Sequence, residues 1–291
     1  MQAGVLTGED QNMPSNEELK ASLPGRAQSA APRSSDKSEF SEKNYIAALA
    51  RGLSVMRAFS RQRRELTLAE ISKLVDLPRA TVRRCLITLH ALGYIETTGK
   101  YFRLTSQVLT LSQAYFSSSP LPNVAQPYIE QVSKAVGASC SVSVLVGDEV
   151  IYIARSSRKR SASVHREVGV NLPAYCTSMG RVLLANLPKA ELDAYFKRVV
   201  LTKYNNKTVV DKGELRAILD GVRQDEYCII DGELESGLRA IAVPVRNMSG
   251  IIVAAAHIST EADRTTIKQL QNDFLPVLRQ AVTQIRRSLV G

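Results

Sequence analysis

Between Tyr45 and Leu104 the apolar spacing changes once, from helical steps of three and four residues to a strand-like alternation, and few folds accommodate that change in so short a stretch. Ile46, Leu49, Leu53, Met56 and Phe59 predict a first helix with a single apolar stripe. A polar, basic loop from Ser60 to Glu65 ends it. Thr67 with Glu70 three residues on has the spacing of a capping box, in which each side chain accepts from the other residue's backbone N–H, and predicts a short helix over Leu68–Val75. The turn Asp76-Leu77-Pro78 leads to a third helix from Pro78 to Leu92. Proline costs nothing at a helix start, where its missing N–H would have no partner. Gly93 suits the left-handed cap that closes the helix. Tyr94–Thr97 and Tyr101–Leu104 read as a hairpin around Thr98-Gly99-Lys100. Helix, helix, helix, hairpin predicts a winged helix-turn-helix.

The third helix is two-faced. Val82, Cys85, Leu86 and Leu89 share an apolar side, and Ala80, Thr81, Arg83, Arg84 and Ile87 lie opposite. A helix in a DNA major groove needs an anchored back, small residues for close approach, and guanidinium forks that grip guanine or phosphate. Arg83 and Arg84 are the candidates for base contact, with Arg79 and Thr81 nearer phosphate. Lys100 and Arg103 on the wing, and Arg61, Arg63 and Arg64 in the loop before the capping box, are candidates for the backbone. Singly, each arginine is as well explained by a solvated helix face; the turn, cap and wing together favour DNA.

Charge distribution supports this. The formal charge is +10, and from Ser41 to Ser106 there are 12 Lys/Arg against 5 Asp/Glu. Less than a quarter of the chain thus carries most of the excess, which points to a polyanion partner for that part. No run approaches 18 apolar residues, so no membrane span is expected, and the acidic N-terminus does not read as a signal peptide. The four cysteines stand at least 36 residues apart, a spacing that fits neither a metal knuckle nor a disulfide framework, so a cytoplasmic protein with reduced thiols and no metal or cofactor is expected.

Residues 1–43 are rich in Ser, Pro, Gln, Lys and Glu and read as a disordered N-terminal arm. Residues 44–105 form the DNA-binding unit and 106–120 a linker helix with Val108, Leu109, Leu111 and Tyr115 as its apolar set. Ser117–Pro122 breaks that helix, and 121–291 forms a second domain. There a helix over 123–136 precedes strands at Cys140–Val146, Val150–Arg155 and Ala162–Val168, with Gly147-Asp148 in the first turn. Helices at 178–187, 189–197 and 211–225 follow, then strands at Cys228–Asp231, Ala240–Val245 and Ile251–Ser259. A last helix, Asp263–Leu289, is interrupted at Pro276. The class is α+β with a largely antiparallel sheet.

At this point the chain resembles the IclR-type regulators. The matching stretches are Ala48–Phe59, Leu68–Ser72, Leu77–Leu86, Leu92–Tyr94, Leu172–Ala185, Gly237–Val245 and His257–Ser259. Pro78-Arg79-Ala80, Arg83–Leu86 and Leu172–Arg181 look like the subgroup that controls aromatic-acid catabolism through the β-ketoadipate pathway. The resemblance implies a GAF/profilin-like effector-binding and oligomerisation domain and a small carboxylic acid effector such as β-ketoadipate, protocatechuate or 4-hydroxybenzoate. It also implies a homodimer or tetramer on palindromic double-stranded operator DNA. By position it assigns the effector cavity to Val170, Asn171, Leu172, Pro173, Ala174, Tyr175 and Cys176, to Asp231, Glu233, Arg239 and Ala240, and to His257 and Ser259. Thr177 is placed to cap a helix from Ser178 whose amides favour a carboxylate, and Arg155 or Arg239 to supply a cation.

Several of these have a second reading. Arg239 is equally a bridge to Glu233 or Glu235, His257 a satisfied half-buried histidine, Cys176 a pocket wall, and Asp231 a cap. Some family members carry an acid where Ile230 stands and a serine where His257 stands. An enzyme is not expected: there is no GxGxxG, P-loop, GxSxG or HExxH, and Cys176-Thr177-Ser178 has no base at readable spacing.

Overall fold

The computed structural model describes residues 44–60, 62–157 and 167–289. The N-terminal arm, Arg61 and most of the expected strand at Ala162–Val168 lie outside the described residues; Val168 and Gly169 themselves form a turn.

Helices α1 (Ala47–Arg57), α2 (Leu68–Val75) and α3 (Arg79–Ala91) close around Val55, Ala58, Leu66, Ile71, Val82, Leu86, Leu89 and Ile95. The capping box forms as the spacing requires: Glu70 N–H donates to Thr67 Oγ1, and Thr67 N–H donates back to Glu70 Oε2 at 2.8 Å. Strands β2 (Ile95–Thr98) and β3 (Tyr101–Leu104) pair antiparallel around Gly99-Lys100, with Gly99 at φ 62°. A two-residue strand β1 (Leu66–Thr67), not expected from sequence, adds to the outer edge of β3. The stripe on α1 is corrected in its first half. Ile46, Leu49 and Leu53 are 66, 61 and 48% exposed, while Met56 and Phe59 pack against the core beside the buried Val55. A three-turn helix can bury only one of two apolar faces, and contact with α3 selects the one carrying Val55.

A 3-10 turn (Ser106–Val108) leads into α4 (Leu109–Ser118). Helix α5 (Pro120–Val136) starts three residues earlier than expected, because Pro120 and Pro122 sit in its first turn, where no N–H is needed. Strands β4 (Ser139–Val146), β5 (Glu149–Ser156), β6 (Asn171–Pro173), β7 (Cys228–Asp231), β8 (Leu238–Arg246) and β9 (Ile252–Glu261) form one antiparallel sheet in the order β6-β5-β4-β9-β8-β7. The C-terminal helix α9 begins as Ile267–Gln269, passes through a π turn at Leu270–Phe274 and continues as Leu275–Ser288. The wider turn just before Pro276 lets the chain carry a residue that cannot donate within the helix.

Strand alternation divides the sheet into two faces. Cys140, Val142, Ile241, Val243, Ala254 and Ala256 face α5 and α9. Val150, Tyr152, Ala242, Ala255, Cys228 and Ile230 face α6 (Ser178–Ala185), α7 (Lys189–Arg198) and α8 (Lys212–Asp225). This second face, under the N-terminal turn of α6, holds the cavity described next.

Candidate functional site

On α3 the apolar residues Val82, Leu86 and Leu89 are buried, while Arg79, Ala80, Arg83, Arg84 and Ile87 are exposed and Thr81 is half-buried. Pro78 occupies the N-cap and makes no side-chain cap bond, while its carbonyl accepts from Thr81 N–H at 2.9 Å and Val82 N–H at 3.1 Å. Lys100 lies 5.5 Å from the Tyr101 ring at the wing tip, and Arg64 is exposed. Arg103 is less available: its Nε donates to Glu96 at 2.6 Å and Glu65 lies 3.9 Å away. Arg83→Ala or Arg84→Ala is expected to weaken operator binding by about 1–3 kcal/mol while sparing nonspecific DNA, as a bidentate base contact would. Fluorescence anisotropy on operator and scrambled duplexes reads this, and equal losses on both would assign these arginines to phosphate.

The second constellation is a small cavity that opens to solvent at its mouth. Its floor is Tyr152, Ile230, Ala240 and His257; Cys176 to Met179 form one wall, and Glu233, Leu234, Glu235 and Leu238 the other, with Leu172 at the edge. Thr177 caps α6 by accepting from Gly180 N–H at 3.3 Å, and its hydroxyl donates to the Pro173 carbonyl. The open first turn of α6 therefore meets the cavity at Ser178 and Met179, a setting that favours an anion. Ser178 Oγ is buried there and has no hydrogen-bond partner among the described residues.

Of the residues assigned by resemblance, Leu172, Cys176, Glu233, Ala240 and His257 line this cavity. Val170 and Ala174 pack in the core around it, and Pro173 and Asn171 lie on β6, where Asn171 bonds Glu149 at the sheet edge. Tyr175 is a tether: its hydroxyl donates to Thr202 O at 2.6 Å and accepts from Thr202 N–H at 2.9 Å. Ser259 is buried opposite Ala240 in the sheet register. Arg155 stands beside Ser141 in the register, 6.0 Å from the Tyr152 ring. Arg239 takes the bridging role, though with a different acid from those expected. It donates to Asp231 at 2.7 Å and to the Ala262 and Thr265 carbonyls, which spends its fork on the chain. Arg239 in turn holds the Asp231 carboxyl below its usual range. Cys176 stands in the cavity wall, where burial, then Glu233, pushes its thiol up to about 12.

Sequence reasoning overlooked Arg181. It is 3% exposed and forks onto Glu233 at 2.8 and 2.6 Å, with its Nε on the Tyr175 carbonyl at 2.7 Å. Glu233 also accepts from Val209 N–H, and its own carbonyl accepts from Thr208 Oγ1. This clasp ties α6, the 204–209 loop and the 233–238 wall together. One guanidinium inside the apolar run Ser178–Ala185 was the available signal, since a charge there must be paired. Tyr152 was readable from alternation with Val150. Among the described residues no group of three His, Cys, Asp or Glu side chains is arranged to hold a metal, and no helix is long and apolar enough to cross a membrane.

A winged helix with a basic, exposed helix face, followed by an α+β domain with an open cavity, defines a two-domain DNA-binding regulator. The model of the IclR helix-turn-helix domain matches residues 48–99, and that of the bacterial transcriptional regulator IclR C-terminal region matches 113–287. The chain belongs to the IclR family of DNA-binding transcriptional regulators, and not to an enzyme family. It is 43% identical to the Pca regulon regulatory protein of Pseudomonas putida, over 86% of each chain. A transcriptional regulator of Rhodococcus sp. RHA1 is 45% identical, with a TM-score of 0.71 over 84% of this chain and 98% of its own. An IclR homologue from Microbacterium hydrocarbonoxydans, solved with 4-hydroxybenzoate, is 26% identical, with a TM-score of 0.70 over 83% of this chain and 98% of its own.

Proposed function

We propose that this chain controls genes of aromatic-acid catabolism and changes its operator affinity when a small carboxylic acid occupies the cavity under α6. The observation that carries this is the N-terminal turn of α6, with Ser178 Oγ buried and without a partner among the described residues, opening onto a mostly apolar cavity. A benzoate-sized acid suits such a site: amides and a hydroxyl for the carboxylate, Leu172, Ile230, Leu234, Leu238 and Met179 for the ring. Similarity to a Pca regulon regulator and to a homologue solved with 4-hydroxybenzoate supports the same class of ligand.

Residues 44–105 read the operator, 106–120 link, and 121–291 bind effector and oligomerise in this reading, in the cytoplasm where the operator lies. Pairing of copies on a palindrome is supported by the apolar residues left uncovered on α1 (Ile46, Leu49, Leu53) and α4 (Leu109, Leu111, Tyr115). The test is calorimetry of the full chain with protocatechuate, 4-hydroxybenzoate and β-ketoadipate, paired with operator anisotropy. Binding of at least one acid with a change in operator affinity is expected. An absence of heat with all three would remove the catabolic assignment and leave the DNA-binding assignment standing.

A further inference from the structure

From the winged helix the chain leaves through a short junction, the 3-10 turn Ser106–Val108 and then α4. All ten residues of α4 are half-buried or exposed, so this helix is held at its ends and not along its side. At its C-terminal end, Asn123 of α5 donates to the Phe116 carbonyl at 3.3 Å. At the other end the bonds converge on Thr105. Its N–H donates to the Tyr94 carbonyl at 3.0 Å and continues the hairpin past Ile95 and Leu104. Its Oγ1 accepts from Gln107 N–H at 3.2 Å, which caps the 3-10 turn. The same hydroxyl donates to the Gly93 carbonyl, 12 residues back in the chain.

Gly93 is where the recognition helix stops: it takes a left-handed φ of 79°, and its N–H donates to the His90 carbonyl at 2.9 Å. His90 Nδ1–H donates in turn to the carbonyl of Ile95, the first residue of β2, at 2.8 Å. The end of α3, the base of the wing and the first turn of the linker are thereby bonded as one body. A capping threonine needs only its acceptor oxygen for that task. The bond donated to Gly93 is additional, and it crosses from the linker to the recognition helix. Helix α3 has 13 residues, a length of about 20 Å. A tilt of about 5° at Gly93 would shift Arg79, at the far end, by about 2 Å, more than a hydrogen bond tolerates.

We propose that Thr105 is a positioning residue for regulated operator binding: its hydroxyl passes a change in the set of α4 to the end of α3 and the base of the wing. Coupling between distant sites is carried by stiff elements bonded without slack. Helix α4 is such an element. Without the bond to Gly93, a turn of α4 would be taken up by the backbone at Thr105 and Ser106. With it, Gly93 and the last turn of α3 follow. This rests on the reading that an acid in the cavity under α6 alters operator affinity, and deepens it by naming the residue that carries the change across the linker.

The experiment measures operator affinity of the full-length protein by anisotropy, with and without protocatechuate, 4-hydroxybenzoate or β-ketoadipate, and reads the ratio of the two affinities. Wild-type protein is expected to show a ratio of about fivefold or more with at least one acid. Three variants separate the two bonds of the hydroxyl. Thr105→Ser keeps both and should keep the ratio. Thr105→Val keeps the shape and loses both; Thr105→Asp still accepts from Gln107 N–H but has no proton for Gly93. In Val and Asp the ratio should fall about fivefold, the value of one hydrogen bond, while calorimetric affinity for the acid and preference for operator over scrambled duplex are retained. The charge added by Asp acts with and without acid, so it cancels in the ratio. A wild-type ratio in Val overturns the proposal, and one in Asp does so by showing that capping alone suffices. Loss of acid binding or of operator preference along with the ratio also overturns it, since Thr105 would then only hold the fold. If wild-type protein itself shows no ratio with any acid, the effector reading fails and the junction with it.

Discussion

Arg181→Met is expected to destabilise the C-terminal domain by about 3–5 kcal/mol, the usual cost of leaving one partner of a buried ion pair alone. Glu233 would keep only the Val209 N–H at 3.3 Å for a carboxylate that is almost completely buried, and the Tyr175 carbonyl would lose the Arg181 Nε. The double replacement Arg181→Met/Glu233→Leu should recover most of that loss, because an apolar pair of similar volume carries no charge to desolvate. Urea denaturation of the three proteins measures both steps. A single variant within about 0.5 kcal/mol of wild type would mean that the carboxylate finds water or another donor, and that the clasp does not hold the wall. The double variant also separates stability from geometry: a stable protein with weakened effector binding would show that the clasp sets the position of the 233–238 wall.

Gly180→Ala is expected to be at least as damaging. An added Cβ would lie 2.1 Å from the Ala174 carbonyl oxygen and 2.4 Å from the Ala174 Cα, both backbone atoms that cannot swing aside. Overpacked sites that adjust by side-chain motion cost about 1–3 kcal/mol, so about 3 kcal/mol is a lower expectation where the main chain must move. The loop from Ala174 to Thr177 and the first turn of α6 would separate, opening the cavity wall at Cys176–Met179. Thermal unfolding checks the stability, and loss of effector response with operator binding retained at low temperature checks the location. A protein as stable as wild type would show that the loop has room to shift.

How much of this was legible in advance differs between the two ends of the chain. Local chemistry governs the DNA-binding end: Thr67 and Glu70 cap each other, Pro78 starts α3, Gly93 with φ 79° closes it, and each signal lies within four residues of what it controls. The α1 stripe misled because periodicity reports an apolar face without saying whether the chain's own core covers it. At the effector end, strands β4, β5, β7, β8 and β9 were readable to within two residues and β6 was not, and the roles of the side chains were not readable either. Spacing alone offers Arg239 both Glu233 and Glu235, yet it pairs with Asp231, its register partner across β7 and β8. Arg181 and Glu233 are 52 residues apart, and no local pattern links them.

The sequence by itself determined the order of elements, the two-faced recognition helix and the family, because capping, proline placement and apolar period act over a single turn or strand. Tertiary structure alone decided which cation is spent on the chain, which face of α1 stays uncovered, and which hydroxyl is buried beside the cavity. Those outcomes depend on strand register and on α6 lying across the sheet, and both are set by contacts between residues far apart in the chain.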